Sequence, residues 1–280
     1  MAIHLLVVGA SDWRLHVSCP GAMVRAVTIR FVRFLPAALL ASSILFPTGG
    51  AQALGGSSVT ANSALTTHLV MVLSRQGNKH GACTGTVVAR NVIMTAAHCV
   101  AGNKQVAVAY PEDGSHVLQR IAAKAINPGF SPAARVSIDL ALVRLDSDLP
   151  ARFQPMPIDS GESEHEIGLG RTIAGFGLAA ERDEASAGKL RSARVRVLPK
   201  LYPRFLRLGT RPDADLSDFA VCTGDSGGPV IDGGLVVGVV YGREKFNNAQ
   251  SCGTIAQAVR VAPQRGWIDA TMRKWGTSLR

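Results

Sequence analysis

Residues 221–232 read Val221-Cys222-Thr223-Gly224-Asp225-Ser226-Gly227-Gly228-Pro229-Val230-Ile231-Asp232. A serine stands in the middle of a glycine-rich turn, and a short apolar run follows at once. Glycines on both sides let the backbone turn sharply and approach another group closely. A serine so placed presents its oxygen while the preceding N–H groups point toward the same space. Working outward, Leu235–Tyr241 is a second Val-rich run, and Leu69–Leu73, Gly85–Val88, Val92–Thr95, Val106–Ala109, Leu140–Leu145, Arg171–Phe176 and Ala193–Leu198 repeat the theme. Short β-branched runs divided by turn residues point to an all-β sandwich or barrel and away from alternating βαβ units. Arg194-Val195-Arg196-Val197 alternates polar with apolar, as a half-exposed strand does. The good helix candidate is Pro263–Trp275, with proline in its first turn and Ile268, Met272 and Trp275 on one face.

Composition bounds what such a chain can be. With 280 residues, 47% hydrophobic and 18% charged, it can bury a sizeable core, which excludes disorder throughout. The 29 glycines and 14 prolines fit many turns. No run reaches the roughly 18 apolar residues of a spanning helix. A formal charge of +10 allows an acidic partner but is also an ordinary solubility charge.

The start of the chain has another character. Arg25, Arg30 and Arg33 precede an apolar body from Leu35 to Phe46, and Ala51-Gln52-Ala53 is a small-x-small cleavage site. This is the layout of a secretory signal. We expect residues 1–53 to be an N-terminal extension and cleaved signal, with Met23 as a candidate start, and residues 54–280 to be one structural unit. Export implies a periplasmic or extracellular location and no stable membrane insertion after cleavage. Loss of Arg14, Arg25, Arg30, Arg33 and Asp12 with the extension would take the net charge from +10 to +7. It would also remove Cys19 and leave Cys83, Cys99, Cys222 and Cys252, an even set for which two disulfides in one of three connectivities is the expectation. None of these cysteines has the close spacing usual in zinc sites.

Two further strings matter beside the serine turn. One is Thr95-Ala96-Ala97-His98-Cys99; the other is Asp139-Leu140-Ala141-Leu142-Val143-Arg144-Leu145. In chain order, His98, Asp139 and Ser226 offer a base, an orienting carboxylate and a nucleophile. With these three strings the mature chain, Leu54 to Arg280, resembles a secreted trypsin-like serine protease of the chymotrypsin fold. The resemblance implies two packed antiparallel β-barrels with a C-terminal helix. It also implies a serine endopeptidase working through an acyl-enzyme on polypeptide substrates, without metal or organic cofactor. Ser226 would be the nucleophile, His98 the general base and Asp139 its partner. The amides of Gly224 and Ser226 would bind the oxyanion. The family pattern pairs Cys83 with Cys99 and Cys222 with Cys252.

The same pattern puts Ala220 at the floor of the primary pocket, Gly242 and Thr254 at its walls, and the segment Val240-Tyr241-Gly242 beside extended substrate backbone. An alanine floor lacks the acid that selects Lys or Arg, so a small-to-medium apolar residue before the scissile bond is expected unless Asp218 swings in. Asp225 would take the ammonium of a freshly cut N-terminus, and Ala53-Leu54-Gly55-Gly56 resembles the usual four-residue start. The alternative is a protease-fold binding or adhesion protein that has lost catalysis; an intact triad argues against it. Lys189–Arg211 carries eight basic residues without an acid, read as a solvated basic face rather than a nucleic-acid site. Glu162–Glu166 is read as a surface loop rather than a cation site, and the protein as a monomer.

Overall fold

The structure, a computed structural model, describes residues 54, 59–61, 63–102, 104–134, 136–180, 182–199, 203–210, 219–244 and 252–279. The signal segment, Gly55, Gly56 and Asp218 therefore lie outside the described residues. Strands run in chain order as β1 Val59–Ala61, β2 Leu69–Gln76, β3 Lys79–Ala89, β4 Val92–Thr95, β5 Gln105–Glu112, β6 Ser115–Ile126 and β7 Ala141–Leu145. They continue as β8 Gly170–Gly175, β9 Arg191–Leu198, β10 Phe205–Gly209, β11 Val221–Cys222, β12 Pro229–Asp232, β13 Leu235–Glu244, β14 Cys252–Gly253 and β15 Ile255–Arg260. A one-turn helix α1, Ala97–Val100, follows β4, and helix α2, Arg265–Lys274, follows β15.

Two closed six-stranded antiparallel barrels result, as the family resemblance implied. The first closes in the order β2-β3-β4-β7-β6-β5. The second follows β9-β10-β15-β13-β12-β8 and closes through the β8–β9 pair, with β1 added on β9. Register shifts at Val87/Ala89, Ile121/Ala123, Val230/Ile231 and Val240/Gly242 are bulges that bend the strands around their barrels.

Each barrel is filled by the inward half of its strands. Val70, Val72, Val87, Ile93, Val108, Val143 and Phe153 fill the first, and Ile173, Val195, Leu206, Phe219, Val230 and Val237 fill the second. In β9 the Arg194–Val197 alternation is realised, with both valines buried and both arginines exposed. A third cluster joins the barrels: Val92, Met94, Leu140 and Leu142 meet Val239, Val259 and Val261, and α2 adds Ile268 and Met272. Full burial of such side chains is worth about 1.5–3 kcal/mol each, which is why α2 docks there.

Two expectations need correction. Pro263 lies in a 3-10 turn, Ala262–Gln264, that precedes α2 instead of lying in its first turn. Proline lacks the N–H and presets φ, so it suits this tighter lead-in turn. The basic stretch is not uniformly solvated either. Arg191 is only 5% exposed and donates to the carbonyls of Ser186 and Lys189, while Arg207 forks onto Glu244 of β13 at 2.5 and 2.8 Å. The needed acceptors come from carbonyls and from an acid 37 residues away, which a scan for acids within the run does not see.

Candidate active site

Antiparallel register brings the first two strings together. In the β4–β7 ladder Thr95 pairs with Ala141, so the residues just past β4 lie opposite those just before β7. His98 sits on α1 immediately after β4, and Asp139 two residues before β7. The meeting is made by two hydrogen bonds: His98 Nδ1 to Asp139 Oδ2 at 2.7 Å, and the His98 amide to Asp139 Oδ1 at 2.8 Å. Both carboxylate oxygens are thus held by one residue, which fixes the ring against rotation. Lys104 Nζ donates to the His98 carbonyl at 2.6 Å and ties down the far side of the turn.

Ser226 arrives from the second barrel, in the turn between β11 and β12. Its carbonyl accepts from the Thr84 amide at 2.8 Å, and Thr84 Oγ1 donates to the Gly224 carbonyl at 2.9 Å. Thr95 Oγ1 in turn donates to the Thr84 carbonyl. Gly227, at φ +86°, lies so close to the Thr84 carbonyl and Thr95 Oγ1 that a Cβ there would collide with both. Gly224, at φ +102°, would put a Cβ 2.7 Å from Gly177 Cα. Side chains cannot be accommodated at either position, so glycine is what lets the serine turn lie on the strand end leading to His98. Ser226 is half-buried, and among the described residues the amides of Gly224 and Ser226 donate to no protein acceptor.

The hydrogen bond from Ser226 Oγ to His98 Nε2 is not formed. Nε2 lies instead 3.6 Å from Cys99 Sγ. Such contacts are commonly long in unliganded sites and tighten when substrate enters. Cys83 is bonded to Cys99 and Cys222 to Cys252. The first bond ties β3 to the His98 turn, and the second ties β11 to β14. Cys83, His98 and Cys99 also form the one described group close enough to resemble a metal cluster, but the disulfide occupies both sulfurs. Glu162, Glu164 and Glu166 are exposed, and the Asp159 carboxylate caps the amides of Gly161 and Ser163 in that loop.

Asp225 is the most enclosed acid in the site, at 1% exposure. It accepts from the Gly177 amide at 3.0 Å and the Cys222 amide at 2.8 Å. Burial pushes its pKa up to about 7; the two amides and the more distant Arg191 and Arg243 counteract part of the rise. Leu54, itself 1% exposed, packs with Ile173, Phe219 and Val221 in the second barrel's core. Ala53 lies outside the described residues.

Of the pocket residues, Ala220 is buried in a small cluster with Leu178 and the Cys222–Cys252 disulfide, and Thr254 is buried between β14 and β15. Val240 is tied to the serine turn: its carbonyl accepts from the Gly227 amide and its own amide donates to the Gly228 carbonyl. In that segment the bulge leaves Tyr241 out of the β13–β15 register. Its ring packs on both the first barrel's core and the inter-barrel core and meets Phe205 edge-on at 5.8 Å. Burial, followed by the charges of Asp139 and Glu244, raises its phenol pKa. The sequence reading also missed Thr84 and Thr95, which join the serine turn to the histidine turn. Thr95 stands in one of the quoted strings, but nothing local marks Thr84.

Comparison with known proteins follows this geometry. A family model described as Trypsin matches residues 53–268. Trypsin delta of Drosophila erecta is 25% identical over 252 residues, covering 86% of this chain and 98% of that one. Granzyme M of Homo sapiens is 30% identical over 236 residues, covering 78% and 88%. Among solved structures, human heparin binding protein superposes with a TM-score of 0.61 at 23% identity, covering 77% of this chain and 95% of that one, a likeness of fold.

Proposed function

The chain belongs to the trypsin family of chymotrypsin-fold serine proteases, and from that premise we propose that it is an exported endopeptidase whose chemistry is carried by Ser226, His98 and Asp139. Ser226 Oγ attacks the scissile carbonyl carbon while its proton passes to His98 Nε2. The oxyanion is held by the Gly224 and Ser226 amides. The proton then goes to the leaving amine as the C–N bond breaks, and water repeats the sequence on the acyl-enzyme. Asp139 keeps the ring in the tautomer that leaves Nε2 free and stabilises the imidazolium.

The observation that carries this reading is the double contact between His98 and Asp139, residues 41 apart, beside a serine turn clamped to the first barrel by Thr84. A fluorophosphonate probe tests it. Wild type labels at Ser226, and Ser226→Ala loses the label and about 10^6-fold in turnover. Casein hydrolysis persisting in that variant would refute the assignment.

For the primary pocket, the alanine at position 220 favours a small-to-medium apolar residue before the scissile bond, with substrate backbone running along Tyr241 and Gly242. Strong cleavage after Arg in a peptide library would overturn this preference. Residues 1–53 are taken as the segment removed on export. Cleavage near Ala53 would free an ammonium beside Leu54, whose side chain is already buried in the second barrel with Val221, four residues before Asp225. N-terminal sequencing of active enzyme checks this, and a start well beyond Ser57 excludes it.

A further inference from the structure

Two sulfurs and an imidazole nitrogen meet at the turn that carries His98. The ligating atoms of Cys83, His98 and Cys99 all lie within 4.8 Å of one another. In the oxidised protein the sulfurs are spent on each other, but the backbone around them has other restraints. Cys83 lies in β3, in register with Val72 of β2. Cys99 lies in α1, whose carbonyl end is held by two ammonium groups. Lys104 Nζ donates to the His98 carbonyl at 2.6 Å, and Lys124 Nζ to the Val100 and Gly102 carbonyls at 2.7 and 2.8 Å. Opening the bond therefore frees two thiols on a framework that other contacts hold.

The spacing suits a metal. Tetrahedral zinc takes thiolate at about 2.3 Å and imidazole nitrogen at about 2.0 Å, so a sulfur and a nitrogen in one shell stand about 3.5 Å apart and two sulfurs about 3.8 Å. His98 Nε2 and Cys99 Sγ, 3.6 Å apart, already have the first spacing. The Cα atoms of Cys83 and Cys99 are 6.3 Å apart, which leaves the second to side-chain rotation. His98 Nδ1 is bonded to Asp139 Oδ2 at 2.7 Å. A carboxylate behind a histidine orients a metal-bound imidazole and raises its basicity. The His98 side chain is 40% exposed, so a cation and a water ligand have access from solvent.

On the reading of His98 as general base, we propose that reduction of the Cys83–Cys99 bond turns this corner into a zinc site that silences the protease. Its ligands are Cys83 Sγ, Cys99 Sγ, His98 Nε2 and a water. Two molecules of a small thiol open the bond. The first attacks Cys83 Sγ and Cys99 leaves as a thiol; the second displaces the first as their mutual disulfide and frees Cys83. The protein gains two electrons and two protons. Zinc(II) then binds both sulfurs as thiolates, and the two protons pass to solvent. Nε2 is the atom that must accept the Ser226 proton, so a metal bond there and acyl transfer exclude one another. An external disulfide reverses the exchange and releases the ion.

The test uses the processed protein, reduced anaerobically with glutathione and freed of excess thiol, with cobalt(II) as a coloured stand-in for zinc. Reduced wild type takes up cobalt with a sulfur-to-metal charge-transfer band and the visible bands of a tetrahedral ion. Zinc bleaches both, and oxidised protein shows neither. Cys83→Ser combined with Cys99→Ser abolishes the bands although Cys222 and Cys252 remain. Asp139→Asn weakens cobalt binding about tenfold. His98→Ala, which keeps every cysteine, weakens it further. Zinc also stops fluorophosphonate labelling of the reduced protein at Ser226, and a chelator restores it. Colourless reduced wild type, bands that survive the double cysteine change, or unaltered cobalt affinity in His98→Ala overturns the site. Labelling indifferent to bound zinc overturns the silencing. Oxidised protein that labels at Ser226 but shows no cobalt bands on reduction removes this proposal alone. Cobalt binding by a protein that, when oxidised, neither labels nor hydrolyses casein removes the protease reading and leaves the metal site.

Discussion

Two carboxylates share the seam between the barrels and are treated in opposite ways. Asp139 is 8% exposed and gives both oxygens to His98, a partner that can itself carry the compensating charge. Asp225 is sealed in, with two amide donors and no Lys or Arg at ion-pair distance among the described residues. Enclosing a charge is expensive unless it is paired, so the second carboxylate is where folding and protonation are coupled. The first is shaped for a reaction and the second for a structural condition.

The sharpest way to break this contrast is Asp139→Asn. It should lower kcat/KM about 10^4-fold while leaving the fold intact, because the amide preserves the shape but stabilises the wrong tautomer. Peptide hydrolysis and a thermal melt measure both halves, and a loss below tenfold would make the two acids equivalent. Next comes the pH dependence of Asp225 in the full-length chain, before a new N-terminus is freed. Its folded pKa stands near 7 against an ordinary value of 3.8, so the folded state keeps a proton that the unfolded chain releases. The associated stability is fully present below about 3.8 and is lost as pH rises through about 7. Asp225→Asn should flatten that decline relative to the parent in urea melts across the window. Equal slopes would show that the buried carboxyl is not the linked group.

Smaller effects refine the picture. Gly177→Ala would put a Cβ 2.5 Å from Asp225 Oδ1 and 2.6 Å from its Cγ. We expect about 1–3 kcal/mol of destabilisation from this overpacking, read by equilibrium denaturation. Arg207→Ala breaks a partly exposed ion pair with Glu244 and should cost at most about 1 kcal/mol. A larger loss would show that the contrast between enclosed and exposed charge has been drawn too strongly.

Legibility from sequence followed the range of the forces involved. Val92–Thr95 and Val230–Asp232 were readable because β-branched runs bounded by turns state their preference locally. Ser115–Ile126, Phe205–Gly209 and Ile255–Arg260 were passed over, since Ala, Gln, Lys and Arg dilute the pattern. They are strands because neighbours in the barrels pair with them: β6 with β5 and β7, and β10 and β15 with each other. In the site, His98, Asp139 and Ser226 were recognisable as residue types in a familiar order. The engagement of Val240 by the serine turn was not, because it continues the β12–β13 pairing beyond the start of β12, which only the register of the folded barrel sets.

Residue identity alone determined the chemical inventory: an imidazole, a carboxylate and an alcohol, glycines where no Cβ fits, and four cysteines in the part of the chain after the export signal. Tertiary structure decided which groups share a space. The β4–β7 register put Asp139 under His98, the Thr84 clamp seated Ser226 against the first barrel, and barrel closure buried Arg191. Side-chain preferences act over a few residues, whereas burial and pairing act between strands tens of residues apart. Only the closed barrels bring those distant strands within contact range.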